Sequence, residues 1–160
     1  MAGTALTRGP RRIAVLRFSA LGDVLLTTPA LEALKEAWPD SERLLVTQAG
    51  PARLLQESAL IQERLVMRPG ESVGQLRGRL LAWRPDAILD LHSSLRSRLL
   101  TASLPWIRSV RWKKRDLLDT LRVRLLGLPW RSERLIAERS HEAVERLVVR
   151  VEIGAREHEL

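Results

Sequence analysis

The sequence predicts an α/β domain built on a mainly parallel sheet. Three short apolar runs, Ile13-Ala-Val-Leu16, Leu44-Leu-Val46 and Ala87-Ile-Leu89, have the continuous hydrophobicity of strands buried on both faces. Amphipathic stretches of helical period lie between them. The first two runs start roughly 30 residues apart, the spacing of a βαβ unit with a right-handed crossover. At 160 residues and 45% hydrophobic content, the chain is long enough for one domain with a real core.

The elements follow in order. Residues 1–11, rich in Gly, Thr and Arg, read as a disordered lead-in, and the domain proper runs over 12–153. After the first strand, Ser19-Ala-Leu-Gly22 is a turn. Val24, Leu25, Leu31 and Leu34 then mark a helix that reaches Trp38. Thr28-Pro29 interrupts it, and Pro29 suits the first turn of a new helical segment. Pro51 to Glu57 reads as a short helix, and Leu65-Val-Met67 as a weak strand closed by Pro69-Gly70. Val73 to Trp83 is an amphipathic helix stopped by Arg84-Pro85. The third strong strand ends in Asp90-Leu-His92, and a helix begins near Leu95. Ile107 to Trp112 alternates as an edge strand would. Leu117, Leu118, Leu121 and Leu125 mark a further helix, ended by Gly127 and Pro129, whose leucines either pack in the core or rest on an anionic bilayer surface. A last helix follows Ser140, and residues 154–160 form a charged tail.

Composition narrows the function. There is no cysteine, hence no disulfide framework or thiolate metal site. The three histidines, at 92, 141 and 158, show no metal-ligand spacing. The N-terminus lacks the apolar core of a secretory signal, and no run approaches the roughly 18 apolar residues of a membrane span. A cytoplasmic protein is expected, with peripheral contact to the inner face of the membrane as an extension. Between Arg96 and Arg134 there are eleven Lys/Arg against three Asp/Glu, an excess equal to the net charge of +8 on the whole chain. A localised basic face suggests an anionic partner, or simply a solvated surface. Nucleic acid is not expected, because one Phe, no Tyr and five Trp form no base-stacking array among the basic residues.

Ligands of parallel sheets bind beyond the carboxyl ends of the strands. Two loops should open there. The first is Arg17-Phe-Ser-Ala-Leu-Gly22-Asp23. It has neither the three glycines of a dinucleotide fingerprint nor the Gly-Lys-Ser/Thr of a phosphate-binding loop. Asp23 there reads either as a helix N-cap or as a general base in a cleft. The second loop is Asp90-Leu-His92-Ser-Ser94-Leu-Arg96-Ser. Ser93 or Ser94 is expected to cap the next helix. Arg96 in a first helical turn opposes the helix dipole, which favours a ligand role. Lys113-Lys114-Arg115, just past the edge strand, reads equally as an anion clamp or a solvated turn.

Taken together, Ile13-Ala-Val-Leu-Arg-Phe-Ser-Ala-Leu-Gly-Asp-Val-Leu-Leu-Thr-Thr-Pro-Ala-Leu31, Leu34-Lys-Glu-Ala-Trp-Pro39 and Asp86-Ala-Ile-Leu-Asp-Leu-His-Ser-Ser-Leu-Arg-Ser97 resemble the ADP-heptose:lipopolysaccharide heptosyltransferases, glycosyltransferase family 9. The resemblance runs over roughly residues 12–150. It implies the N-terminal, acceptor-side half of a GT-B fold, in which two Rossmann-like domains face a cleft. It further implies inverting, metal-independent transfer of heptose from ADP-heptose to the lipopolysaccharide inner core, with Asp23 as the base. Ser19, Gly22, His92, Ser94, Arg96, Lys113, Lys114 and Arg115 would line the side facing an anionic Kdo-lipid acceptor. The family commonly has glycine where Ser93 stands. No cofactor is expected on this chain, because the donor ADP-heptose would bind a C-terminal domain beyond it. The chain alone would then be inactive and would need that half as a partner. The competing reading is a non-catalytic basic module that binds an anionic membrane surface or nucleic acid with a steep salt dependence.

Overall fold

The computed structural model describes residues 9–25, 27–53, 55–111 and 144–147. Strands β1 (Arg12–Leu16), β2 (Glu42–Thr47), β3 (Glu63–Val66), β4 (Ala87–Asp90) and β5 (Arg108–Arg111) form one sheet in the order β3-β2-β1-β4-β5. Every pairing is parallel. Helices α1 (Leu21–Leu25), α2 (Thr28–Ala37), α3 (Ala49–Ala52), α4 (Val73–Ala82) and α5 (Leu95–Ala102) lie between the strands.

The pleat sorts the apolar runs into two cores. Ile13, Val15, Leu45 and Leu89 point to one face, against Leu31 and Leu34 of α2 and against Val144 and Leu147. Ala14, Leu16, Leu44, Val46 and Ile88 point to the other, against Leu76 and Leu80 of α4, Leu100 of α5 and Leu104 just beyond it. A strand covered by helices on both faces has no polar side, which is why these runs read as continuous rather than alternating. The final predicted helix is seen at residues 144–147, and its start lies outside the described residues.

Local signals explain the boundaries. Thr27 precedes α2, Pro29 sits in its first turn, and the Thr27 hydroxyl donates to the Val24 carbonyl at 2.5 Å, so the break between α1 and α2 falls at the predicted place. Ser72 and Gln75 form a reciprocal capping box at the start of α4. Arg84, at φ 54, closes α4 with its N–H on the Leu81 carbonyl at 2.9 Å.

Three expectations need correction. The short helix predicted over 51–57 is the single turn α3, Ala49–Ala52. It begins after the extended residue Gln48 and then decays into tight i to i−3 turns, such as Ser58 N–H to the Leu55 carbonyl at 3.2 Å. Gly50 and Pro51 supply too little helix propensity to carry it further. The weak strand begins at Glu63 and ends at Val66, because pairing with β2 sets its register rather than its own hydrophobicity. Residues 9–11, read as part of the lead-in, are bound to the sheet. The N–H groups of Arg11 and Arg12 both donate to Asp86 Oδ2 at 2.9 Å, and the Arg11 carbonyl accepts from Glu42 at 2.7 Å. Residues 1–8, 112–143 and 148–160 lie outside the described residues, and with them Lys113, Lys114, Arg115, the 117–125 helix and the tail.

The chain runs from β1 outward through β2 to β3, then returns to the other side of β1 for β4 and β5. The winding therefore reverses between β1 and β4. A crevice opens outside the carboxyl ends of two strands at such a reversal, and ligands bind there in open α/β sheets.

Candidate functional site

The crevice is built by the loops that follow β1 and β4. Leu16 pairs with Asp90, and the Leu91 N–H donates to the Leu16 carbonyl at 3.1 Å, so the two loops leave the sheet side by side. The rings of Phe18 and His92 lie 4.9 Å apart across the junction. The sequence expectation that residues 19–23 and 91–96 share one rim is met.

Arg17 joins them. It sits one residue past β1 and is 6% exposed. Its N–H bonds the Val46 carbonyl at 3.0 Å, which anchors it to β2. Its guanidinium donates through Nη1 to the Leu91 carbonyl and pairs through Nη2 with Asp23 Oδ2 at 2.6 Å. A buried guanidinium must be paired and hydrogen-bonded to be tolerated. Here its partners are the acid of one loop and the backbone of the other.

Asp23 is the third residue of α1, not its N-cap. Its Oδ2 reaches back to the Ala20 N–H at 3.4 Å, the position that the acid of a capping box takes. The N-cap reading is thereby corrected to that of an acid in the first turn of α1. The carboxylate supports the helix start through one oxygen, and its side chain remains 46% exposed at the crevice. Gly22 is exposed, and a Cβ added there would meet nothing within 4 Å, so internal packing does not demand glycine at this position. Ser19 is partly exposed beside it, and the Ser19–Ala20 peptide is cis.

In the second loop, Asp90 is fully buried and organises the turn. Its Oδ1 accepts the N–H groups of His92 at 3.1 Å and Ser93 at 2.9 Å, and its Oδ2 pairs with Arg111 Nε at 3.2 Å. Ser93 has φ 53, in the left-handed region that favours glycine. Glycine would be the unstrained choice for this turn. Ser93→Gly is expected to keep stability within about 1 kcal/mol, whereas Ser93→Val, β-branched in a left-handed conformation, lowers it by roughly 1–3 kcal/mol. Urea unfolding of the two variants checks this. Of the two serines proposed as caps, Ser94 is the one used: its Oγ accepts the Ser97 N–H at 3.2 Å.

Arg96 has a structural partner that sequence reasoning did not supply. Its Nη2 donates to the Glu71 carbonyl at 2.5 Å, which ties α5 to the loop after β3. That loop is itself held by the buried Glu71 carboxylate, which accepts the Arg68 N–H at 3.0 Å and Arg79 Nη1 at 2.8 Å. Burial pushes the Glu71 carboxyl up, but the Arg79 hydrogen bond, the Arg68 N–H and the charges of both guanidiniums outweigh it and hold the group below its ordinary value. A carboxylate depressed in the folded state contributes stability above its unfolded pKa and loses it as pH falls through the folded value. Glu71→Gln should therefore cost about 1–2 kcal/mol at neutral pH and progressively less below about pH 4. Thermal midpoints of the two proteins across pH 2–7 report the convergence.

Sequence reasoning missed Arg17 and Asp90 as the groups that shape the site. The signal for both was present: a charge at the end of an apolar strand is buried and demands a partner. Among the described residues, no group of three or more His, Cys, Asp or Glu is placed to hold a metal ion. Nor is any described helix long and apolar enough to cross a membrane.

No protein-family model and no curated protein sequence matches the chain. Solved structures do match. A glycosyl transferase of family 9 from Veillonella parvula superposes with a TM-score of 0.62 at 21% identity, over 86% of this chain and 41% of its own. E. coli heptosyltransferase WaaC, solved with ADP-2-deoxy-2-fluoro heptose, gives 0.60 at 22%, over 84% of this chain and 47% of its own. E. coli ADP-heptose lps heptosyltransferase II gives 0.56 at 23%, over 63% and 30%. The chain spans less than half the length of each. It has the parallel α/β fold of one domain of these GT-B glycosyltransferases, with a charged pair at the point where the sheet reverses its winding.

Proposed function

We propose that the chain is the acceptor-side half of an inverting glycosyltransferase that moves heptose from ADP-heptose to the lipopolysaccharide inner core, and that transfer requires a donor-binding half. The observation that carries this reading is the Arg17–Asp23 pair at the winding reversal, 2.6 Å long, with Arg17 buried and Asp23 half exposed. Arg17 and the Ala20 N–H both engage Oδ2, which leaves Oδ1 as the oxygen that meets a substrate.

The chemistry follows from that placement. Asp23 Oδ1 accepts the proton of an acceptor hydroxyl as its oxygen attacks the anomeric carbon. The bond from that carbon to the diphosphate breaks on the opposite face, and ADP departs with the bonding pair, so configuration inverts. The guanidinium beside Asp23 holds the carboxylate in place through Oδ2, and a positioned base contributes roughly 10²–10⁴-fold. An anionic Kdo-lipid is the acceptor class. Arg96 keeps donors beyond the one given to Glu71, and with Lys113, Lys114 and Arg115 it would hold carboxylates or phosphates. Ser19, Gly22, His92 and Ser94 border the acceptor path. The WaaC structure carries an ADP-linked fluoro heptose, which supports the donor class assigned here.

The test supplies the chain with a donor-binding half, fused or as a second polypeptide, and follows transfer from ADP-heptose to a Kdo-lipid. Transfer by the pair and none by the chain alone is the expected result. A folded pair that binds ADP-heptose yet transfers to no Kdo-bearing acceptor contradicts the reading.

A further inference from the structure

The opposite rim of the sheet, at the amino ends of the strands, takes no part in the proposed transfer. The segments that lead into β1, β4 and β5 enclose an open groove there of about 620 Å³. Pro10, Pro85 and Ile107 are buried beneath it and give it an apolar floor. Trp106 lines it while 63% exposed. The Arg77 guanidinium lies 5.5 Å from the centroid of that indole and is not one of the residues that line the groove.

The charge in the groove is positive. Among the described residues, Arg11, Arg84 and Arg108 line it together with one carboxylate, Asp86. Asp86 Oδ2 is already committed to two backbone N–H groups, those of Arg11 and Arg12. Arg84 adds an independent observation. At φ 54 it occupies a conformation that costs any L-residue but not glycine, at the end of a helix where glycine is the usual choice. What arginine supplies there and glycine does not is a guanidinium at the edge of the groove.

We propose that this groove binds a small oxyanion that carries a planar ring, the ring resting on Trp106 and the phosphate or carboxylate held by Arg84 and Arg108. Guanidiniums grip such groups through paired, charge-assisted hydrogen bonds, and an exposed indole offers a stacking face. The site lies on the other rim from Asp23, so it stands or falls independently of the transferase reading.

The test titrates the full ¹⁵N-labelled chain with 4-nitrophenyl phosphate, with inorganic phosphate and 4-nitrophenol as separate arms. The Trp106 indole N–H and the amides of Arg84, Asp86 and Arg108 are the reporters. Saturable shifts confined to them are expected, with the aryl phosphate bound about tenfold tighter than either fragment. Arg84→Gly separates a ligand role from a structural one. It should raise the thermal midpoint by relieving the backbone, yet weaken aryl phosphate binding about tenfold. Trp106→Ala should erase the preference for the ring. Absence of saturable shifts, shifts centred on residues 17–23 or 91–96, or wild-type affinity in Arg84→Gly would each overturn the proposal.

Discussion

Asp23→Asn, in an enzyme completed with a donor-binding half, is expected to lower kcat by roughly 10²–10⁴-fold while the fold survives. The substitution is chosen for its geometry. Asparagine keeps an oxygen for Arg17 and the Ala20 N–H, the two contacts that Oδ2 makes, so the start of α1 is preserved. What disappears is the negative charge that the proposed base needs. The side chain is 46% exposed, so the change opens no cavity. Steady-state kinetics on the completed enzyme, beside circular dichroism of the chain, separate the two effects. An Asp23→Asn enzyme with unchanged kcat removes this residue as the base.

Arg17→Met is expected to act chiefly on stability, by about 2–4 kcal/mol. Arg17 is buried and serves three strands at once: its backbone bonds β2, and its guanidinium bonds the loop after β4 and the acid after β1. Methionine fills similar volume but leaves the Leu91 carbonyl without this donor and Asp23 without its cation. Urea unfolding measures the loss. Arg17→Lys should recover only part of it, because a single ammonium cannot serve two acceptors in the fixed fork of a guanidinium. A Met variant as stable as the parent would show that the junction between the loops is held by other contacts.

The parts of the fold that follow from periodicity were readable in the sequence. Ile13–Leu16, Leu44–Val46 and Ala87–Leu89 are strands, and they are continuous in hydrophobicity because helices cover both faces. The break at Thr27–Pro29 and the cap at Ser94 follow from local chemistry and fall as expected. The misread pieces depend on tertiary partners. β3 takes its limits from β2, and residues 9–11 are ordered by a carboxylate 75 positions away, at Asp86. The candidate site shows the same division. Asp23 and the 91–96 loop were visible as charges and turn residues at strand ends. The Arg17–Asp23 pair, the Asp90 bonds under His92 and Ser93, and the Arg96–Glu71 tie were not, since each joins side chains to groups whose proximity only the sheet order creates.

The central claim is that the loops after β1 and β4 form one acceptor site. The most direct measurement is a chemical-shift titration of the ¹⁵N-labelled chain with a Kdo disaccharide, which needs no donor half. The account predicts saturable shifts at residues 17–23 and 91–96 together, lost together when Asp90→Ala collapses the second turn. Saturable binding that perturbs only one of the two loops, or neither, would contradict it.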